Sequence, residues 1–199
     1  MAHHDLHDGA MAALTHVCST GMQHAAVALS QLMGKGVSIQ VPRIQVLEGS
    51  GVSHLLGSQE VIALQLQILG NVRGSILILL IRENAQRILE LLLGKGPKEG
   101  EPLSEMERAT LMEVGNILAS ACLNALGNSL KMTLLPSVPA LSNGLGSDVL
   151  THALDRADGD DAVVMIDAMF SVSDSLCGGS IFLIPAPASL GALLGALEQ

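Results

Sequence analysis

Apolar residues recur every three or four positions from Gly9 to Met33, at Met11, Leu14, Cys18, Met22, Ala25, Leu29 and Leu32, before Gly34 breaks the run. That spacing keeps one stripe on one side of a helix, so the pattern predicts a long amphipathic helix stopped by Gly34. A second stripe, Leu111, Gly115, Leu118, Cys122 and Ala125 or Leu126, runs up to Gly127. Pro102 precedes it, and Ser104 and Glu107 have the spacing of a capping box. Two long, related helices are expected.

Each stripe is followed by an extended segment with a proline inside it: Val37 to Leu47 with Pro42, and Lys131 to Leu141 with Pro139. Proline cannot donate to a sheet ladder, so each segment is expected at an edge or a bulge. Val61 to Leu69 then alternates Leu64, Leu66 and Ile68 with Gln65 and Gln67, which predicts one buried and one wetter face. Arg73 to Ile81 returns after a turn at Gly70-Asn71. Ala162 to Val172 and Gly179 to Ile184 form a second such pair, and shorter helices are expected over Asn84 to Leu93 and Ala188 to Leu197.

The two halves share a frame. Glu113 lies 97 positions after His16, as does Asn116 after Ser19 and Pro139 after Pro42. Gly179-Ser180-Ile181 lies 105 positions after Gly74-Ser75-Ile76, so the later half has gained about 8 residues, assigned to Ser147 to Asp161. The chain therefore reads as one domain over 1–199, made of two repeats, 9–94 and 103–199, with 95–102 as connector. The expected fold is α+β: long motif helices and shorter helices packed on an antiparallel-rich sheet built from two three-stranded halves, with pseudo-two-fold symmetry.

Composition narrows the functions this fold could carry. Hydrophobic residues make up 49% of the 199 and mean hydropathy is +0.47, yet Trp and Tyr are absent and only Phe170 and Phe182 are aromatic. The core must be aliphatic, and no aromatic platform exists for stacking bases. A net charge of −9 repels a phosphate backbone, so nucleic acid is excluded as a ligand. A basic patch on a protein partner suits it better. The longest apolar run, Ile76 to Ile81, falls far short of the roughly 20 residues that span a bilayer, so no transmembrane segment is expected. The start, Met1-Ala2-His3-His4-Asp5, lacks the cationic region and apolar core of a signal peptide. A cytoplasmic location with reduced thiols follows as the expectation.

Polar chemistry is concentrated at Glu113-Val114-Gly115-Asn116. A residue two positions from an apolar stripe points roughly 200° away from it on a helix. Glu113, two after Leu111, and Asn116, two before Leu118, should therefore leave the core side and neighbour each other at i, i+3. Ser120 extends the strip. A carboxylate can take an Arg or Lys from a partner, and an amide offers a donor and an acceptor that can hold a water molecule. Glu and Asn on an exposed helix are also ordinary, and spacing alone does not separate a site from a solvated face.

The segment Glu113-Val114-Gly115-Asn116-Ile117, the 22 residues between Asn116 and Pro139, and the duplicated frame resemble the CheC/CheX/FliY family of chemotaxis phosphatases. The first half resembles it too, in Ala25 to Gly34 and the run to Pro42. Two copies within a short chain are most similar to the CheC form. The resemblance implies removal of the phosphoryl group from the aspartyl phosphate of a CheY-type response regulator, with Mg²⁺ held by the regulator and no cofactor or metal bound by this chain. It implies that Asn116 orients the attacking water and that Glu113 engages a regulator lysine. It further implies a second partner, the receptor deamidase CheD.

Departures from the family pattern are equally specific. Four residues before the Glu the family has Asp or Ser, and here Ala109 stands. In the first copy the three positions are Ala12, His16 and Ser19, so that copy is expected to be catalytically silent. The flagellar switch protein FliM has a related domain without the catalytic pair. A non-catalytic receiver-binding or switch-like module is therefore the alternative to a phosphatase.

Other polar clusters are expected to be structural. His3, His4, Asp5, His7 and Asp8 suit a solvated terminus better than a metal site, which needs ligands in rigid geometry. His16 has no nucleophile or carboxylate at a supporting helical spacing. Asp155, Asp158, Asp160 and Asp161 lack the alternation of a calcium loop and are expected in a solvated turn. Cys177 is expected at the start of a strand, and Cys18 and Cys122 in the core.

Overall fold

The computed structural model describes residues 8–52, 55–97, 101–155, 162–172, 175–186 and 189. The chain runs α1 (Asp8–Met33), β1 (Val37–Glu48), α2 (Gly49–Val52), β2 (Glu60–Gly70), β3 (Gly74–Ile81), α3 (Arg82–Leu93), α4 (Glu105–Leu130), β4 (Leu134–Pro136), β5 (Ala140–Leu145), α5 (Gly146–Asp155), β6 (Ala162–Val172) and β7 (Ser175–Pro185). Helices and one antiparallel sheet give the α+β class expected. Apart from Ser189, the helix expected over Ala188 to Leu197 lies outside the described residues, as do the turn at Asp158, Asp160 and Asp161 and the residues His3, His4, Asp5 and His7.

Both predicted stripes are helices. Leu14, Cys18, Met22, Ala25 and Leu29 of α1 are buried, and Gly34 adopts φ 63 just past its end. Leu32 departs from the stripe and is half exposed, because it lies in the last turn. In α4, Leu111, Gly115, Leu118, Cys122, Ala125 and Leu126 are all buried. Gly127 does not stop α4, which continues to Leu130 and closes with Lys131 in the left-handed region at φ 53. Gly127 is required for another reason: the chain folds back so tightly that an added Cβ would lie 2.6 Å from the Met132 carbonyl oxygen.

The strands form one seven-stranded sheet in the order β1-β6-β7-β3-β2-β4, with β5 also on β2. It differs from the expected pair of half-sheets in one respect. β1 of the 9–94 half pairs with β6 of the 103–199 half, while β4 and β5 pair with β2, so each half-sheet takes its outer strand from the other half of the sequence. The β3–β7 ladder joins them.

Both proline segments lie at the sheet edges and carry a bulge, as proline's missing donor demands. In β1, Gln40 faces Met169 and Arg43 faces Asp167, so Val41 and Pro42 together oppose Ala168. Arg43 Nε then donates to Asp167 Oδ2 at 2.8 Å, and Ser180 Oγ donates to Asp167 Oδ1 at 3.1 Å. Along β2, Pro136 faces Ile68 and Ala140 faces Gln65. The Ser137 N–H donates to the Gln67 carbonyl at 2.9 Å and the Gln67 N–H donates to Ser137 Oγ at 2.8 Å. Val138 and Pro139 are left opposite Leu66.

The extra residues of the later half build α5, where a turn was expected; Asp155 is its last residue. The Gly146 N–H bonds the Gln59 carbonyl at 2.8 Å, and Leu150, Ala153 and Leu154 are buried against the outer face of the sheet. That cover explains why Val61, Ile62 and Ala63 are buried in succession: one end of β2 is covered on both faces, while Gln65 and Gln67 are wetter farther along.

Candidate functional site

Ser104 starts α4 with the capping box read from the sequence. Its N–H donates to Glu107 Oε2 at 2.7 Å, and the Glu107 N–H donates to Ser104 Oγ at 3.4 Å. These bonds, the backbone one foremost, hold the Glu107 carboxyl below the usual carboxylate range, with Lys95 assisting and burial opposing. The cap sets the helical phase of everything that follows.

Two turns on, Glu113 is exposed and Asn116 half-buried, while Val114 and Gly115 between them are buried. Gly115 is the footing of the helix on the sheet. A Cβ added there would meet Leu64 Cδ1 at 2.8 Å and Leu64 Cβ at 3.3 Å. The sequence pattern counted Gly115 only as one more stripe position; a glycine amid larger apolar residues is the signal of this close approach.

A second close approach fixes the other side of α4. A Cβ added to Gly21 of α1 would lie 3.0 Å from the Ala121 carbonyl oxygen, 3.1 Å from Ala125 Cβ and 3.2 Å from Cys122 Cα. Asn116 is nine residues before Ala125, about 180° around the helix at roughly 100° per residue. Since α1 covers the Ala125 flank, Asn116 occupies the opposite flank, away from α1. Ala109 is exposed and Ser120 half-buried on that flank. Among the described residues the Glu113 and Asn116 side chains have no hydrogen-bond or ion-pair partner, so both are free to engage another molecule.

On α1, Ala12 and His16 are exposed and Ser19 is half-buried, which repeats the exposure of Ala109, Glu113 and Asn116 without their chemistry. The cysteines are core residues. Cys18 and Cys122 are fully buried on the facing helices α1 and α4; the neighbouring Cys122 thiol and burial push the Cys18 thiol far above its ordinary range. Burial also raises Cys177, which lies inside β7, with the Arg87 charge opposing. Among the described residues no group of three or more His, Cys, Asp or Glu is placed to hold a metal ion.

Cavities of about 200, 280 and 340 Å³ lie elsewhere, lined by residues such as Arg82 and Asn143, Asp167 and Ser180, and Asp148 and His152. Glu113 and Asn116 line none of these three; they lie on the outward side of a helix, which suits a protein partner better than a small ligand. By length and apolarity α4 passes for a membrane span, with mean hydropathy 1.3, but half of that window is buried within the fold.

The CheC-like family model matches residues 106–142, the stretch holding Glu113, Asn116 and Pro139. CheC1 of Halobacterium salinarum is 29% identical over 165 residues, 83% of this chain and 84% of that one. CheY-P phosphatase CheC of Bacillus subtilis is 29% identical over 166 residues, 80% and 79% of the two chains. In fold, the chain is similar to Thermotoga maritima FliY, with a TM-score of 0.80 at 17% identity over 98% of each chain. The FliM middle domain from H. pylori matches with a TM-score of 0.68 at 13% identity, over 95% of this chain and 98% of that one.

Proposed function

We propose that the chain belongs to the CheC-like family, whose model matches residues 106–142 and whose curated relatives are 29% identical, and that it is a hydrolase of the aspartyl phosphate on a CheY-type response regulator in chemotaxis signalling. The carrying observation is the free Glu113–Asn116 pair on the flank of α4 that α1 leaves open, backed by Gly115 on Leu64. Glu113 docks a regulator lysine. Asn116, donor and acceptor in one amide, holds a water in line with the phosphorus–oxygen bond. The water oxygen bonds to phosphorus as the bond to the aspartyl oxygen breaks, giving inorganic phosphate and a free carboxylate. This is catalysis by positioning. Mg²⁺ belongs to the regulator, where it offsets phosphoryl charge, and this chain supplies no cofactor.

In this reading the domain over 1–199 comprises the repeats 9–94 and 103–199, joined by 95–102. The equal offset of the two Val-Pro bulges supports it. Only the second repeat works, because His16 and Ser19 offer neither the carboxylate nor the amide. The cytoplasm, where phosphorylated regulators reside, is the assigned location, and a CheD-type deamidase is the second partner that family membership calls for.

The test is regulator dephosphorylation by wild type, Asn116→Ala and Glu113→Lys. Asn116→Ala should lower the rate about 100-fold. Glu113→Lys should act mainly on KM by reversing the charge offered to a lysine. Equal rates for wild type and Asn116→Ala would remove the catalytic role. Ala109 favours the second reading, a receiver-binding module without turnover; binding by wild type with no acceleration of hydrolysis would establish it.

A further inference from the structure

Ser120 lies on the polar strip of α4 but has no part in the reaction proposed above. At roughly 100° and 1.5 Å per residue, Ala109, Glu113, Asn116 and Ser120 share an arc of about 60°, and Ser120 stands about 6 Å beyond Asn116 along the axis. Helical side chains lean toward the N-terminus, over the preceding turn. Ser120 therefore leans over Asn116, and its half-buried side chain shares the flank that α1 leaves open.

Its hydroxyl is uncommitted. A hydroxyl inside a helix can bond the carbonyl one turn back, and in α1 and α4 Thr15 Oγ1 donates to the Met11 carbonyl, Thr20 Oγ1 to His16, Ser30 Oγ to Ala26 and Thr110 Oγ1 to Met106, at 2.7–2.9 Å. Among the described residues Ser19, Ser120 and Ser129 make no such bond. Of these three, Ser120 has an amide one turn before it, where Ser19 has Thr15 and Ser129 has Ala125. No buried side-chain nitrogen or oxygen among the described residues lacks a partner, so the unbonded Ser120 hydroxyl and Asn116 amide both reach solvent.

The two groups are complementary. An amide that turns its oxygen to a water turns its NH₂ elsewhere, and no bond in the free protein fixes which end of Asn116 faces outward. A hydroxyl oxygen accepts from an N–H, and Cβ atoms four residues apart on a helix lie about 5–6 Å from each other, within reach of such a bond. Covering α4 with a partner excludes the water that competes for it.

We propose that Ser120 is a positioning residue: in the complex with the regulator its Oγ accepts from Asn116 Nδ2, which leaves Asn116 Oδ1 to accept from the attacking water. The proposal rests on the phosphatase reading. It assigns Ser120 to kcat, because the hydroxyl acts through Asn116 and touches neither the regulator nor the water.

The test measures kcat and KM with a phosphorylated CheY-type receiver, and Kd by calorimetry with the beryllofluoride-activated form. It compares wild type, Ser120→Ala, Ser120→Thr, Asn116→Ala and the double variant Ser120→Ala with Asn116→Ala. Alanine is a better helix former than serine, so the fold is retained. Ser120→Ala should lower kcat about fivefold with KM and Kd unchanged, and Ser120→Thr, which keeps the hydroxyl, should restore the rate. The double variant should be no slower than Asn116→Ala, since the serine acts only through the amide. If Ser120→Ala keeps the wild-type kcat while Asn116→Ala is slowed, or if its loss appears in KM and Kd, the positioning role is overturned and the phosphatase reading stands. If wild type does not accelerate hydrolysis, both are overturned.

Discussion

Gly115 of α4 rests directly on Leu64 of β2, with no space between them for a methyl group: a Cβ there would lie 2.8 Å from Leu64 Cδ1. The glycine lets the helix sit low on the sheet, and of the two residues flanking the buried Val114-Gly115 step Glu113 is exposed and Asn116 half-buried. The footing and the polar pair are one local device.

Gly115→Ala sets two effects against each other. Alanine is favoured over glycine by about 1 kcal/mol inside a helix. Overpacking a filled core costs about 1–3 kcal/mol. Leu64 is fully buried and close at three atoms, so overpacking should win. A net loss of about 1 kcal/mol in urea denaturation is expected, with a fall in dephosphorylation as α4 lifts. A stabilised variant would show that Leu64 repacks freely.

His16→Ala and Ser19→Ala, singly or together, should leave regulator dephosphorylation within about twofold of wild type, since effects at separate sites without shared partners stay independent. A loss comparable to Asn116→Ala would mean that the first-copy face of α1 takes part in turnover.

The α4 cap should be visible in stability. Ser104→Ala is expected to cost about 1 kcal/mol. Glu107 has its folded pKa depressed, so its contribution is fully present above the unfolded value of roughly 4.3 and is lost as pH falls through the lower, folded value. Denaturant midpoints measured from pH 7 down to pH 3 should therefore decline below about pH 4 in wild type. Glu107→Gln should be less stable at pH 7 and flatter across that window.

The thiols should be silent in the native state. Cys18, Cys122 and Cys177 are buried to within 1% exposure, and burial raises Cys177 while Cys18 is raised by the neighbouring Cys122 thiol and by burial. Thiolate is the reacting species, so iodoacetamide at pH 8 should label none of the three until denaturant is added. Labelling of Cys177 in the folded protein would mean that β7 opens locally.

Much of the site was legible because it is helical. Glu113 and Asn116 could be placed outside the core from Leu111 and Leu118 alone, and Ser104–Glu107 marked where the phase begins. The α5 helix was not legible: Leu150, Ala153 and Leu154 are too few for a stripe until the sheet face they cover is known. Gly127 misled for a similar reason, since a glycine needed for the return of Met132 looks like a glycine that ends a helix.

The sequence by itself determined the two helical stripes, the proline bulges, the paired strands and the polar pair kept in one copy, because each depends on residues a few positions apart. Tertiary structure alone decided that β1 pairs with β6 and β5 with β2, and that Val41 turns in where Val138 turns out. These pairings join residues far apart in the chain, Gln65 with Ala140 and Val37 with Val172, and are selected by which arrangement buries both faces of the whole sheet. The same dipeptide can then meet two environments, and no local pattern records which one it will find.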